Sequence, residues 1–245
     1  MGHRECFQFG ELSLSQTDVL DKNILEIGSH EDGGSLRSYV TAMKPNKYWG
    51  IDLQEGPGVD EICNAYHLLD RFGPHSFDVL IAIELLEHIR DWRKMIHIFK
   101  QILRPGGLAI ITTRSAGFPF HYAPFDFWRF EQEDMLAIFS DFDIIRLEND
   151  TRAINGKVTP GVFITVRKPA NFIENNLNAI NLYSILTKQR LNSVRDWDIY
   201  LYEIQHLGLP YFKRFNGIPY LLREYLASTL SKKQKANLKK IFRVN

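Results

Sequence analysis

Residues 77–83, FDVLIAI, place the tightest constraint on what this chain can fold into. Apart from Asp78 the run is apolar and mostly β-branched or aromatic, so a strand built from it must be covered on both faces. Such a strand belongs at the centre of a layered α/β protein, with helices above and below. The neighbouring sequence supplies them. Strand-like runs at 23–28, 48–53, 60–63, 77–83 and 108–112 alternate with helical patterns at 35–42, 67–72 and 92–103. This alternation predicts a doubly wound, mostly parallel sheet. After RPGG (104–107), read as a sharp turn, and a helix at 131–139, strands at 143–147 and 162–167 follow each other with no helical pattern between them. They are expected to be an antiparallel pair at one edge.

The first of these strands runs into a glycine-rich turn, NILEIGSHEDGGS, residues 23–35. Glycine lets backbone turn sharply and approach a ligand, and the following helix presents free N–H groups. Asp52 ends the second strand, 24 residues after Gly28. An acid at that distance accepts hydrogen bonds from the two hydroxyls of a ribose. A dinucleotide fingerprint wants glycine at position 30, where this chain has His30, and the loop carries Glu31 and Asp32. Negative charge beside a diphosphate is costly. A cofactor with a sulfonium and an ammonium tolerates it, which favours S-adenosylmethionine over NAD.

Composition removes several function classes. The 245 residues suggest a main domain at 21–169, a leader or lid at 1–20 packed on the core or pairing as an edge strand, and an extension at 170–245. Helical patterns are expected at 171–190, 195–208, 220–230 and 234–242, so that the extension serves as an acceptor lid or dimer contact. Net charge is +1, which gives no electrostatic case for nucleic acid. Cys6 and Cys63 do not make a disulfide framework and fit a reducing, cytoplasmic setting. No apolar run reaches membrane-spanning length, so membrane insertion is not expected.

Candidate site residues follow from strand ends, where open α/β sheets bind ligands. Glu26 and Gly28, with Ser29 next in the loop, face the methionine end of the cofactor. Asp52 takes the ribose, Leu53 packs on adenine, and Asn64 and Ala65 meet the adenine edge. Glu84 tops the central strand. Glu87 and His88 follow it, but a lone E-H pair lacks the further ligands a transition metal needs, so no metal site is expected. The loop RSAGFPFHYAPFDFWRF, residues 114–130, carries eight aromatic or histidine side chains, which suits a partly enclosed small-molecule pocket. Within it His121 is the candidate base, Asp126 its orienting partner, and Arg129 a clamp for an anionic acceptor.

The order Glu26–Gly28, Asp52, FDVLIAIELLEHIRDW and LRPGG resembles the class I S-adenosylmethionine-dependent methyltransferases, in particular the group with an E-x-x-E-H segment after the fourth strand. The resemblance covers residues 20–168 and departs from the family at His30 and Asp32, where alternating glycines are usual, and at Asn64, where an acid is common. It implies a Rossmann-like seven-stranded sheet with a helical C-terminal extension. It also implies methyl transfer to an O or N nucleophile of a small molecule, such as a glycan or natural-product intermediate, with a homodimer through the extension as a partner expectation. Two other classes stay open on the residues alone: an NAD-dependent oxidoreductase, and a catalytically silent binding module on the same fold.

Overall fold

The computed structural model describes residues 4–31, 34–122, 125–150, 153–154, 157–158, 160–203 and 205. Its centre is a sheet of seven strands: β1 (Asn23–Ile27), β2 (Lys47–Asp52), β3 (Glu61–Ile62), β4 (Phe77–Ile83), β5 (Leu103–Arg114), β7 (Asp143–Asp150) and β10 (Gly161–Arg167), in the spatial order β3-β2-β1-β4-β5-β10-β7. The first five are parallel, and β10 runs antiparallel to both β5 and β7. Chain order reverses direction between β1 and β4, so the ligand crevice of such a sheet lies over their carboxyl ends.

Burial explains why the central strands read as continuous apolar runs. In β4, Phe77, Leu80 and Ala82 belong to one core cluster, and Val79, Ile81 and Ile83 to the other. β5 alternates likewise, with Ala109 and Ile111 on one face and Leu108 and Ile110 on the other. Each successive side chain points to the opposite face, so both faces must be covered. On one face lies α5 (Trp92–Ile102), begun by an Asp91 side chain that accepts from Lys94 N–H at 3.2 Å. Its Trp92, Met95, Ile96, Phe99 and Ile102 are buried at helical spacing. α4 (Leu68–Phe72) and α6 (Gln132–Ile138) lie on the same face, where Leu68, Met135 and Ile138 join that core. The other face is covered by α1 (Arg4–Ser13), α2 (Gln16–Val19) and α3 (Arg37–Ala42), with Cys6, Phe9, Val19 and Val40 buried.

Three expectations change. The leader is helical, not an edge strand, and Phe9 packs on Phe163 of β10 with ring centroids 5.4 Å apart. RPGG is not a turn between elements but a bulge within β5: Phe77 pairs with Leu103 and Val79 with Leu108, while Gly106 takes φ 80°. Residues 171–190 are not helical. They carry a hairpin of β11 (Leu182–Ser184) and β12 (Gln189–Leu191), to which β6 (Trp128–Arg129) adds as a third strand. α7 (Asp196–Tyr202) follows. The short pair β8 (Ala153–Ile154) and β9 (Lys157–Val158) occupies the loop before β10. The expected helices at 220–230 and 234–242 lie outside the described residues, as does most of the extension given as an acceptor lid or dimer contact. Among the described residues no helix is long and apolar enough to cross a membrane.

Candidate active site

The carboxyl ends of β1, β2, β4 and β5 gather most of the predicted site residues on one edge. Gly28 ends β1 with φ 77°, a left-handed conformation that glycine adopts without strain. Its N–H and that of Ser29 both donate to the Ile51 carbonyl, at 2.9 and 3.0 Å. This ties the glycine turn to β2. Ser29 is buried and its hydroxyl has no hydrogen-bond partner. Asp52 is half-buried at the end of β2; its carboxylate accepts from His30 N–H at 3.3 Å and Gln54 N–H at 3.0 Å. Each carboxylate oxygen keeps a further lone pair. Leu53 is exposed. Asn64 caps the short turn that contains Ala65, its side-chain oxygen accepting from Tyr66 N–H at 3.0 Å. Asp32 and Gly33 lie outside the described residues.

Glu26 does not reach toward a solvent-filled crevice. It is buried and accepts a 2.7 Å bond from the Tyr48 hydroxyl. Burial raises its pKa to about 7, against the opposing effects of the Tyr48 bond and the nearby Arg37. Nor does Glu84 stand open at the top of β4. It is buried, ion-paired with Arg114 and approached by the Cys6 thiol at 3.5 Å. Burial and the neighbouring charge of Glu87 raise its pKa to about 8, with Arg114 opposing. Its φ of 51° is left-handed, unusual for a residue with a side chain. Its N–H is held by the Thr112 carbonyl at 2.9 Å, so the chain leaves β4 abruptly and turns Glu87 and His88 back toward β5.

The aromatic loop is less a pocket wall than a piece of core. Phe125, Phe127, Trp128 and Phe130 are fully buried. Backbone bonds from Phe127 to Glu87, Phe130 to Arg114 and Ile185 to Phe127 stitch the loop between the sheet edge and the hairpin. Arg129 is also fully buried, correcting its assignment as an acceptor clamp. Its guanidinium grips Asp126 through two bonds of 2.5 and 2.7 Å and also donates to the carbonyls of Phe118, Pro119 and Trp128. An arginine so enclosed has no donor aimed at solvent. It instead holds Asp126 ionised: burial works against the carboxylate, but the bonds from Arg129 and His121 prevail and its pKa is lowered.

His121 is the member of this group that remains accessible, with its side chain 31% exposed. Its Nδ1 lies 3.0 Å from Asp126 Oδ2, and its backbone N–H donates to the same oxygen at 3.0 Å. Asp126 Oδ2 thus meets both the ring and the backbone of His121. The far nitrogen, Nε2, lies 4.0 Å from Glu87 Oε1, and the His121 and His88 rings meet edge to face at 4.7 Å. Burial lowers the pKa of His88, and its Nδ1 is 2.6 Å from the Phe125 carbonyl. The sequence argument set Glu87 and His88 aside for want of a further ligand. Folding brings His121 to them from a loop 33 residues away. Thr113 and Arg114, which hold Glu87 and Glu84, were missed altogether. Their position at the carboxyl end of β5 was the available signal.

Comparison with known proteins bears on the family and the fold. A sequence profile described as a methyltransferase domain matches residues 3–150. The ubiquinone biosynthesis O-methyltransferase of Idiomarina loihiensis is 31% identical over 113 residues, covering 40% of this chain and 45% of that protein. The chain therefore spans less than half the length of this curated relative. Among solved structures, the 1,6-didemethyltoxoflavin-N1-methyltransferase of Burkholderia thailandensis, with bound 1,6-didemethyltoxoflavin and S-adenosylhomocysteine, superposes with a TM-score of 0.52 at 16% identity, covering 68% of this chain and 77% of that one. The N-methyltransferase NodS of Bradyrhizobium japonicum superposes at 0.51 and 16% identity, covering 68% and 96%. At such identities the superpositions speak for a shared Rossmann-like fold.

Proposed function

Because the chain belongs to the methyltransferase domain family, we propose that it transfers the methyl group of S-adenosylmethionine to an oxygen or nitrogen nucleophile of a small molecule. The observation that carries this reading is positional. The Asp126-oriented His121 sits on the same carboxyl edge of the sheet as the Gly28 turn and Asp52. In this reading the donor site and the acceptor-side group share that edge.

In this reading Gly28 and Ser29 pass beside the methionine part of the donor, and the unpartnered Ser29 hydroxyl supplies a polar contact there. Asp52 takes the ribose hydroxyls on its remaining lone pairs, Leu53 covers adenine, and Asn64 and Ala65 border its edge. Glu26 and Glu84 shape the floor from within, as neither is exposed. Methyl transfer is a direct displacement at carbon, with nucleophile, methyl and sulfur in line, and much of its acceleration comes from holding that line. The sulfonium is already an activated leaving group. What remains is the acceptor's proton. His121 meets the acceptor and lowers the cost of that proton's loss. A small-molecule acceptor is supported by the balanced charge of the chain and by the ubiquinone-pathway relative.

Calorimetry with S-adenosylmethionine and S-adenosylhomocysteine tests the donor half. One site per chain is expected, and binding of neither would sink the proposal. His121→Ala is expected to leave S-adenosylhomocysteine affinity nearly intact while lowering turnover by roughly 10²–10⁴-fold, the range for a positioned proton-handling group. Equal losses in both would place His121 in the donor site instead.

A further inference from the structure

Glu87, His88 and His121 each offer one ligand atom, and the three atoms all lie within 4.8 Å of one another. Glu87 Oε1 is 4.0 Å from the Nε2 of each histidine. Glu87 is fully buried and His88 is 8% exposed, yet Glu87 Oε1 and His88 Nε2 make no hydrogen bond. A buried polar atom left without a partner costs roughly 1–3 kcal/mol. Two of them facing one another beside a third lone pair call for a shared occupant.

The opposite end of each side chain is already fixed. Thr113 donates its hydroxyl to Glu87 Oε2 at 2.8 Å. His88 Nδ1 lies 2.6 Å from the Phe125 carbonyl, and His121 Nδ1 lies 3.0 Å from the Asp126 carboxylate. A carbonyl or carboxylate oxygen only accepts, so each ring bears its hydrogen on Nδ1, and each neutral ring then presents the Nε2 lone pair inward. Metal-binding histidines are supported in this way, the outer nitrogen donating to a carbonyl or carboxylate.

We propose that Glu87, His88 and His121 bind one divalent cation of the zinc–iron class. Two imidazoles and one carboxylate suit such ions, whereas magnesium and calcium favour all-oxygen shells. Atoms that share an ion at ~2.1 Å stand about 3–3.5 Å apart, so binding draws the three inward by about an ångström. His121, the partly exposed member, has room to move. Three protein ligands leave coordination positions open, and the accessible His121 side is where a further ligand enters. Resting on the methyl-transfer reading, that ligand is an acceptor hydroxyl. Its O–H proton passes to solvent, its oxygen bonds the methyl carbon, and the S–C electron pair stays on sulfur. A nitrogen that binds the cation cannot also take the proton, so His121 acts through the ion.

The test uses the full chain, stripped with a chelator and free of donor and acceptor. Zn²⁺ is titrated by calorimetry and Co²⁺ by visible absorption. One ion per chain is expected. Glu87→Gln and His121→Ala are each expected to weaken binding at least 10-fold, while His97→Ala, whose imidazole instead bonds Glu174, leaves it unchanged. Circular dichroism verifies that the variants fold, and the accessible position of His121 makes its alanine variant the one that keeps the fold. In the wild type, Zn²⁺ is expected to move the ¹⁵N resonances of the Nε2 atoms of two histidines. Absence of saturable binding, or wild-type affinity in both variants, overturns the site. Zinc failing while S-adenosylhomocysteine binds removes the metal alone; zinc binding while neither donor form binds removes the methyl-transfer reading alone.

Discussion

A glutamate buried in a strand between two others is an expensive choice, and Glu26 shows its consequence for pH. Its pKa in the fold is about 7, against an ordinary value of 4.5. Below the ordinary value both folded and unfolded chains carry the neutral acid, and burial costs no charge. As pH rises through the interval the unfolded chain ionises first, so stability falls until the folded pKa is passed. The shift corresponds to on the order of 3 kcal/mol. Glu26→Gln is therefore expected to gain on the wild type between pH 4.5 and pH 8 by about that amount in urea titrations; a constant difference across that range would contradict the buried-acid account. Asp126 is the opposite case, a buried carboxylate with a full set of donors. Asp126→Ala strands the Arg129 guanidinium in the core and is expected to cost roughly 3–5 kcal/mol. The same titrations measure it, and a cost under 1 kcal/mol would mean Arg129 finds water.

At the scale of elements, the decisive piece is the hairpin of β11 and β12. Leu182 is fully buried and, with Leu177, Leu186, Val194, Ile199 and Tyr202, joins the core cluster that also holds Leu80 and Phe99. Residues beyond 169 therefore complete the main core and do not merely rest on it. Leu182→Ala is expected to lose about 2–5 kcal/mol, the range for a truncated core leucine. Truncation after Pro169 is expected to expose apolar surface. Dye binding and loss of the cooperative melt would show it, and a sharp wild-type-like melt would return the segment to the status of an accessory.

For the whole molecule, the profile match ends at residue 150, whereas the described chain continues through β10, the hairpin and α7. The matched part contains the Gly28 turn, Asp52 and His121, and the unmatched part packs against the loop that carries His121. On the proposed reading, donor recognition falls within the matched part, and the hairpin beyond it supports the loop that carries His121. Asp52→Ala is expected to weaken S-adenosylhomocysteine binding by about 10–100-fold, the worth of hydrogen bonds to a charged group. Unchanged affinity would leave Asp52 with only the structural task of holding His30 and Gln54.

The sequence by itself determined the sheet. FDVLIAI could only be a doubly covered strand, and the alternation around it set the parallel order through β5, because hydrophobic period and turn chemistry are local properties. It also determined which residues stand at the ends of β1, β2 and β4, since those follow from the apolar runs, but not Thr113 and Arg114, because β5 runs on to Arg114. It could not determine the C-terminal hairpin, whose strands are three residues each and whose β11 gains a second partner from Trp128 and Arg129 far earlier in the chain. Nor could it decide which loop residues face outward: Arg129 and the phenylalanines around it read as pocket lining and are core, because burial depends on what packs against a loop. The meeting of Glu87, His88 and His121 is likewise a tertiary fact. Spacing along the chain separates His121 from the adjacent Glu87 and His88, and only the left-handed turn at Glu84 and the return of the aromatic loop bring their ligand atoms to one point.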